Sequence, residues 1–358
     1  MRLEENIPQS LSGQYQKILR CQNGLFKEIE QTGGSPLSDA TIQPMKGLTD
    51  IPGIRVGHVS DFDAITGCTA ILCEQGAVGG VDIRGFASGT EDTPALDPLH
   101  QDETVHGILL AGGSAFGLEA ASGVRRYLER RGAGVKFGGH TIPIVAGAIL
   151  FDLSIGKGNV RPTMAMGEAA AVAASAEAVA EGCVGAGTGA TVGKIRGMQQ
   201  AMKSGIGSYT VTLPGGVLVS SLVAVNAFGD VRDPATGKIV AGARKAADSK
   251  EFLDSDRALR DTAVTGARNT TLAVIATNAR LNKVQAKMLA QLGSLGMARA
   301  IYPLNTTFDG DTVFALSLGS APAEINALGS AAAEAVAQGI LRAVRMAKTM
   351  GGVPGLAG

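Results

Sequence analysis

The sequence predicts a layered α/β sandwich. Three observations carry that expectation. From Leu48 onward, strand-like and helix-like patterns alternate along the chain. Several strands read as unbroken apolar runs, the mark of burial on both faces. Two of the helices are so rich in alanine that only close packing explains them. The chain of 358 residues is 45% hydrophobic and holds 50 glycines and no tryptophan. That is enough apolar material for a sizeable core, with many tight turns and close backbone approaches.

Taken in order, residues 54–59 and 68–73 read as strands separated by a polar turn. Residues 105–111 form another, ending at Gly112-Gly113 and running into a helix over 119–131. That helix is apolar on one face and carries Arg125, Arg126, Glu129 and Arg130 mostly on the other. The alanine-rich stretch 168–181 predicts a tightly packed helix. Strands follow at 209–213, 217–226 and 271–277, then a helix at 282–292, a strand at 312–318 and a long helix over 323–350. Residues 1–46 are polar and rich in Gln and Ser, with one helix-compatible stretch near 15–26. They read as an appendage that packs on the surface or on a neighbouring subunit. Residues 47–358 read as a single catalytic domain, with no internal repeat.

Composition removes some function classes. Lys+Arg and Asp+Glu both number 32, and aromatic residues make up 4%. Neither the charge nor the stacking surface of a nucleic-acid binder is there. The opening Met1-Arg2-Leu3-Glu4-Glu5 is acidic and lacks the apolar segment of a secretory signal. The longest apolar stretch, 142–150, falls far short of a membrane span. A soluble, cytoplasmic protein without a membrane partner is expected. Cys21, Cys68, Cys73 and Cys183 are scattered, and His58, His100, His106 and His140 do not cluster with them. Reduced structural thiols are expected, and no metal site.

Two motifs invite readings that their residues do not sustain. Gly113-Ser114-Ala115-Phe116-Gly117 follows a strand and opens a helix, but a serine nucleophile elbow needs a glycine where Phe116 stands. Tight strand-to-helix packing explains it better, with the backbone N–H groups of Gly112 and Gly113 as candidates to face a substrate. Residues 185–194 nearly spell a phosphate-binding loop. Thr188, however, replaces its first glycine, and Ile195 follows Lys194 where a Ser or Thr belongs. The loop also matches Gly-x-Gly-x-x-Ala, yet no acidic residue lies at the ribose-binding spacing.

The stretch from Ala267 to Ala279 is different. Thr270 stands at the head of a buried apolar run, directly after Asn269. A threonine hydroxyl needs a base beside it, and cutting the chain before the threonine supplies one in its own α-amine. That amine titrates near pH ~7.7–8.0, so much of it is neutral at physiological pH. By itself the dipeptide also fits a turn leading into a strand. Asn226 ends the apolar run 217–225. Its amide needs partners, and an N–H aimed at a developing oxyanion is one use for it, a turn another. Asp309-Gly310-Asp311 precedes the strand at 312. Carboxylates at i and i+2 share a side in extended chain, so their repulsion can raise one pKa. A plain turn cluster is the alternative.

Together, Asn269-Thr270-Thr271, Phe308-Asp309-Gly310-Asp311-Thr312, Gly193-Lys194 and Val225-Asn226 resemble the pattern of the L-aminopeptidase D-Ala-esterase/amidase family. These are self-cleaving N-terminal nucleophile hydrolases, and they include β-peptidyl aminopeptidases and the nylon-oligomer hydrolase. The resemblance runs from about Leu48 to about Met350. It implies a four-layer αββα sandwich and a cut between Asn269 and Thr270 into chains 1–269 and 270–358. It implies Thr270 as nucleophile, Asn226 as oxyanion donor, and Lys194, Asp309 and Asp311 as groups that set protonation. No metal or organic cofactor is implied. The implied partner is a small peptide or amide substrate, with assembly into a homo-oligomer, a tetramer of α/β heterodimers.

The implied activity is hydrolysis of amide or peptide bonds, on peptides with small N-terminal residues or β-amino acids. Hydrolysis of 6-aminohexanoate oligomers is the nearest alternative, because threonine with an Asp pair leans toward the nylon branch. Phe151 departs from that branch, which carries a tyrosine there, so the substrate does not carry over. Two other readings stand beside these: an acyltransferase of the ornithine acetyltransferase type, and a non-catalytic small-molecule-binding protein using the 185–194 loop.

Overall fold

The computed structural model describes residues 45–261 and 268–358. The helix expected near 15–26 lies outside the described residues, as does nearly all of the expected appendage. Residues 45–358 make one compact unit.

Nine strands share one sheet. They are β1 (Arg55–Asp61), β2 (Thr66–Ile83), β3 (Thr90–Glu91), β4 (Thr104–Ala111), β5 (Val145–Ile149), β6 (Ile206–Leu213), β7 (Val217–Asn226), β8 (Thr270–Ala279) and β9 (Thr312–Ala321). The order across the sheet is β6-β7-β8-β9-β2-β4-β5-β3, with β1 on β2. Neighbours run antiparallel except for β8 with β9 and β4 with β5. The helices are α1 (Ala120–Arg130), α2 (Met164–Val172), α3 (Ser255–Asp261), α4 (Lys283–Ala300) and α5 (Ile325–Arg345).

Alternation along β8 shows the layering. Leu272, Val274 and Ala276 join Leu222 and Phe314 from adjacent strands, and Ile71, Ile108, Leu110 and Ala148 from the β2–β4–β5 half. Ala273 and Ile275 point the other way, to Leu289 and Met297 of α4 and Val336 and Ile340 of α5. On the far half, Gly107 of β4 lies against Val124 and Leu128 of α1, and Gly57 of β1 against α2. The result is α4/α5, then two β layers, then α1/α2. The two β layers are halves of a single hydrogen-bonded sheet. The 18-residue β2 joins them, with its first part on β1 and β4 and its last part on β9.

Local chemistry sets the helix ends, and three of them depart from expectation. Asn282 and Gln285 form a capping box, each side chain bonding the other's backbone N–H, so α4 starts at Lys283 and continues to Ala300. Glu324 caps α5 by accepting the Ala327 N–H at 2.9 Å. That helix stops at Arg345, where the Met346 N–H closes the last turn on Arg342 O at 2.9 Å. The expected helix 168–181 is the clearest correction, because α2 ends at Val172. Ser175 instead pairs its N–H and carbonyl with Val56 at 3.1 and 2.9 Å, and the Ala174 carbonyl accepts the Arg55 guanidinium. The small residues serve close backbone approach to β1 rather than helix propagation. A Cβ on Gly57 would stand 2.0 Å from the Ala170 carbonyl oxygen and 2.6 Å from the Ala174 nitrogen.

Gly57→Ala is therefore expected to lower stability by about 1–3 kcal/mol through overpacking against backbone. The midpoint of denaturant unfolding measures it, and an unchanged midpoint would contradict the contact.

Candidate active site

β7 and β8 pair with Asn226 opposite Thr270. Alternation puts both side chains on the face shared with Ala224 and Leu272, at the end of the layer between the sheet halves. Both are buried, as are Lys194, Asp309 and Asp311. All five catalytic residues expected from the sequence thus converge at the ends of β7, β8 and β9.

The Thr270 hydroxyl donates to the carbonyl oxygen of its own predecessor, Asn269. The same oxygen accepts the Gly310 N–H at 3.0 Å, while the Asn269 N–H donates to Phe308 O at 2.9 Å. The peptide that would be cut is therefore held from both sides by the segment 308–310. Gly310 has to be glycine, since a Cβ there would stand 2.8 Å from Thr270 Oγ1 and 2.8 Å from Ala87 O.

The Asn226 side chain is held on three sides. Its Oδ1 accepts Lys194 Nζ at 2.7 Å and the Thr191 N–H at 3.1 Å, and its Nδ2 donates to Phe151 O at 3.0 Å. A backbone N–H can only donate and a carbonyl can only accept, so these neighbours determine which way the amide faces. Lys194 Nζ also donates to Asn226 O at 3.0 Å. Burial lowers the Lys194 pKa to about 7; Lys203 adds to that fall, and Asp309, Asp152 and Asp311 oppose it.

Asp311 accepts the Thr271 N–H at 2.6 Å and the Asn305 N–H at 3.1 Å. Burial, reinforced by Asp309, raises its pKa to about 8. Asp309 accepts from Thr306, through its hydroxyl at 2.5 Å and its N–H at 3.1 Å, and from the Phe228 N–H at 3.2 Å. Burial raises its pKa as well. Burial suppresses charge on Lys194, Asp309 and Asp311, and it brings Lys194 and Asp311 within reach of proton exchange near neutral pH. Among the described residues no group of three or more His, Cys, Asp or Glu side chains is placed to hold a metal ion.

A cavity of about 350 Å³ opens beside Lys194, lined among others by Phe151, Asp152, Ile155, Met198 and Arg268. That is the small end of ligand pockets. Phe151 lines this cavity, but Gly112 and Gly113 are corrected. Their N–H groups donate to Gly67 O at 2.9 Å and Asp152 Oδ1 at 2.7 Å. Gly112 is glycine because a Cβ would stand 2.0 Å from Asp152 Oδ2. The 185–194 loop offers no phosphate cradle either. Its N–H groups bond Ser60, Thr69, Asn226 and nearby carbonyls, and the short strand Met202–Lys203 follows instead of a helix. Sequence reasoning missed Asp152, a buried acid closing the apolar run 142–150, whose position was its signal. It also missed Met198 and Arg268, which nothing in the pattern marks.

The sequence profile of Peptidase family S58 matches residues 46–357. The chain belongs to that family. A protein described as an uncharacterised aminopeptidase in Mycobacterium leprae is 38% identical, over 87% of this chain and 93% of its own length. A 6-aminohexanoate-oligomer endohydrolase of Kocuria sp. is 32% identical, over 83% of this chain and 85% of its own. In fold, the chain is similar to the L-aminopeptidase D-Ala-esterase/amidase of Ochrobactrum anthropi, described as a variant of the Ntn hydrolase fold. The TM-score is 0.66 at 20% identity, with 90% and 91% of the two chains covered. A β-aminopeptidase of Burkholderia sp. gives a TM-score of 0.63 at 23% identity, covering 90% and 93%. As a member of this family, the protein is a hydrolase acting on peptide or amide bonds. No helix among the described residues is long and apolar enough to cross a membrane.

The Asp311 carboxyl allows a pH test. In the folded chain it keeps its proton up to about pH 8, against an ordinary value of 3.8. The folded state thus binds a proton that the unfolded state releases, so the stability this lends is complete below the ordinary value and lost as pH rises through 8. Asp311→Asn is neutral throughout. Its thermal midpoint should improve relative to the parent on going from about pH 5 to about pH 9. A difference that stays constant over that range would show that Asp311 is ionised in the fold.

Proposed function

We propose that this hydrolase matures by cutting itself between Asn269 and Thr270 and then uses Thr270 as an N-terminal nucleophile. The observation that carries the reading is the scissile peptide itself: the Thr270 hydroxyl and the Gly310 N–H both meet the Asn269 carbonyl oxygen. In maturation, Thr270 Oγ1 bonds to the Asn269 carbonyl carbon and the Asn269–Thr270 C–N bond breaks. This leaves an ester on the hydroxyl and a free α-amine. The Gly310 N–H stabilises the oxyanion in that step. Water then hydrolyses the ester, releasing Asn269 as a carboxylate.

In turnover the new amine takes the hydroxyl proton as Oγ1 attacks a substrate amide. The second N–H of Asn226 Nδ2 serves the tetrahedral oxyanion, and Lys194, Asp309 and Asp311 set the protonation states. The substrate C–N bond then breaks, its nitrogen leaves as an amine with the proton taken from the hydroxyl, and water hydrolyses the ester left on Oγ1 to release the product acid. We expect peptides or amides with small N-terminal residues or β-amino acids as substrates, in keeping with the small cavity and with relatives named as aminopeptidases. The relative named as a 6-aminohexanoate-oligomer endohydrolase supports linear amide oligomers as the second candidates. We expect a cytoplasmic protein, and association of copies fits the exposed Val284, Met288 and Leu295 along α4.

Intact mass under denaturing conditions tests the cut. Two chains are expected, the smaller beginning at Thr270, and Thr270→Ala should give one chain with no turnover. A T270A chain that still splits there would sink the assignment. Asn226→Ala should cost about 10²–10³ in kcat, the loss usual for one oxyanion donor. Gly310→Ala pushes a methyl against Thr270 Oγ1 and Ala87 O and should both lower stability and slow self-cleavage, read as the fraction of uncut chain over time in folded protein.

A further inference from the structure

We infer that Lys203 is a positioning residue, which orients Asn226 through the Ala190–Thr191 peptide. The inference rests on the nucleophile reading above.

Lys203 is fully buried and is among the largest side chains that are. Its Nζ donates to Ala190 O at 2.6 Å and Ser204 O at 3.2 Å. It stands opposite Thr191 in the short pairing of Thr191–Val192 with Met202–Lys203. The Ala190 carbonyl therefore accepts from the Lys203 Nζ, while the other end of the same peptide unit, the Thr191 N–H, donates to Asn226 Oδ1 at 3.1 Å. A hydrogen bond to the carbonyl polarises the peptide and strengthens that N–H as a donor. Oδ1 is then held toward Thr191 and Lys194, which turns Nδ2 toward Phe151 and the cavity wall.

A purely structural role explains this poorly. The Ser204 N–H already holds Ala190 O at 3.0 Å, and a methionine would fill the volume without the cost of desolvating an ammonium. Lys203 makes no ion pair among the described residues. The charged or titratable groups facing it are Asp152 and Cys183, while Asp309, Asp311, Asp152 and Lys203 itself face Lys194. When protonated, Lys203 opposes a proton on Lys194, although burial lowers the pKa of Lys203 as well.

The test uses the full chain carrying Lys203→Met or Lys203→Gln. Self-cleavage is followed by intact mass, and turnover with alanine p-nitroanilide, between about pH 5 and about pH 9. With Met, self-cleavage and kcat should fall about ten- to a hundredfold, as when the partner behind a reacting group is lost, and KM should hold. The limb of the pH profile that reports Lys194 should move to higher pH, because Lys194 keeps its proton longer once the neighbouring charge is gone. Gln keeps a donor for Ala190 without the charge. It should recover part of the rate and keep the displaced limb. Variants with an undisplaced limb and only a lower thermal midpoint overturn the inference. So does failure of both to fold, which assigns Lys203 to stability. A wild-type chain that neither cleaves nor turns over substrate overturns the nucleophile reading instead, and this one with it.

Discussion

The antiparallel pairing of β7 with β8 sets Asn226 opposite Thr270, and both project into the layer between the sheet halves. A slip of one residue would turn Thr270 toward α4 and α5 and bring Thr271 into its place. What holds the register is the two-sided apolar burial of both strands, with Leu272 and Val274 on one face and Ala273 and Ile275 on the other. The parallel pairing of β8 with β9 then brings Asp309-Gly310-Asp311 alongside Asn269 and Thr271. The core is thus what aims the site.

A second constraint is charge. Lys194, Lys203, Asp152, Asp309 and Asp311 are all buried, and their partners are mostly backbone N–H and C=O groups. Burial disfavours the ionised form of each, moving the lysines down and the carboxyls up. Ordinary values near 4 and 10 would lock every proton in place at neutral pH. Here Lys194 near 7 and Asp311 near 8 leave protons able to move. Bonds to backbone also hold these side chains where the sheet ends put them.

Much of this was legible in the residues. The run ending at Asn226 and the run beginning at Thr270 announced two buried strands, and their ends announced polar groups with work to do. Alanine was less informative. It marked close packing in both α5 and 168–181, but in the second the close neighbour was the backbone of β1 and the helix ended at Val172. Gly112 and Gly113 misled for a similar reason. A glycine pair after a strand signals room for something, and here the occupant is the Asp152 carboxylate, 39 residues from Gly113 in sequence.

By itself, then, the sequence determined the strand and helix periods, the family pattern and the identity of the five polar residues at strand ends, because these depend on local spacing. Only the tertiary structure decided that they meet. It also decided that Gly310 backs the Asn269 carbonyl, that Phe151 lends its carbonyl to Asn226, and that Lys203 stands behind them. Those contacts join segments far apart in the chain. No local pattern encodes them, because they exist only once the apolar layers have closed.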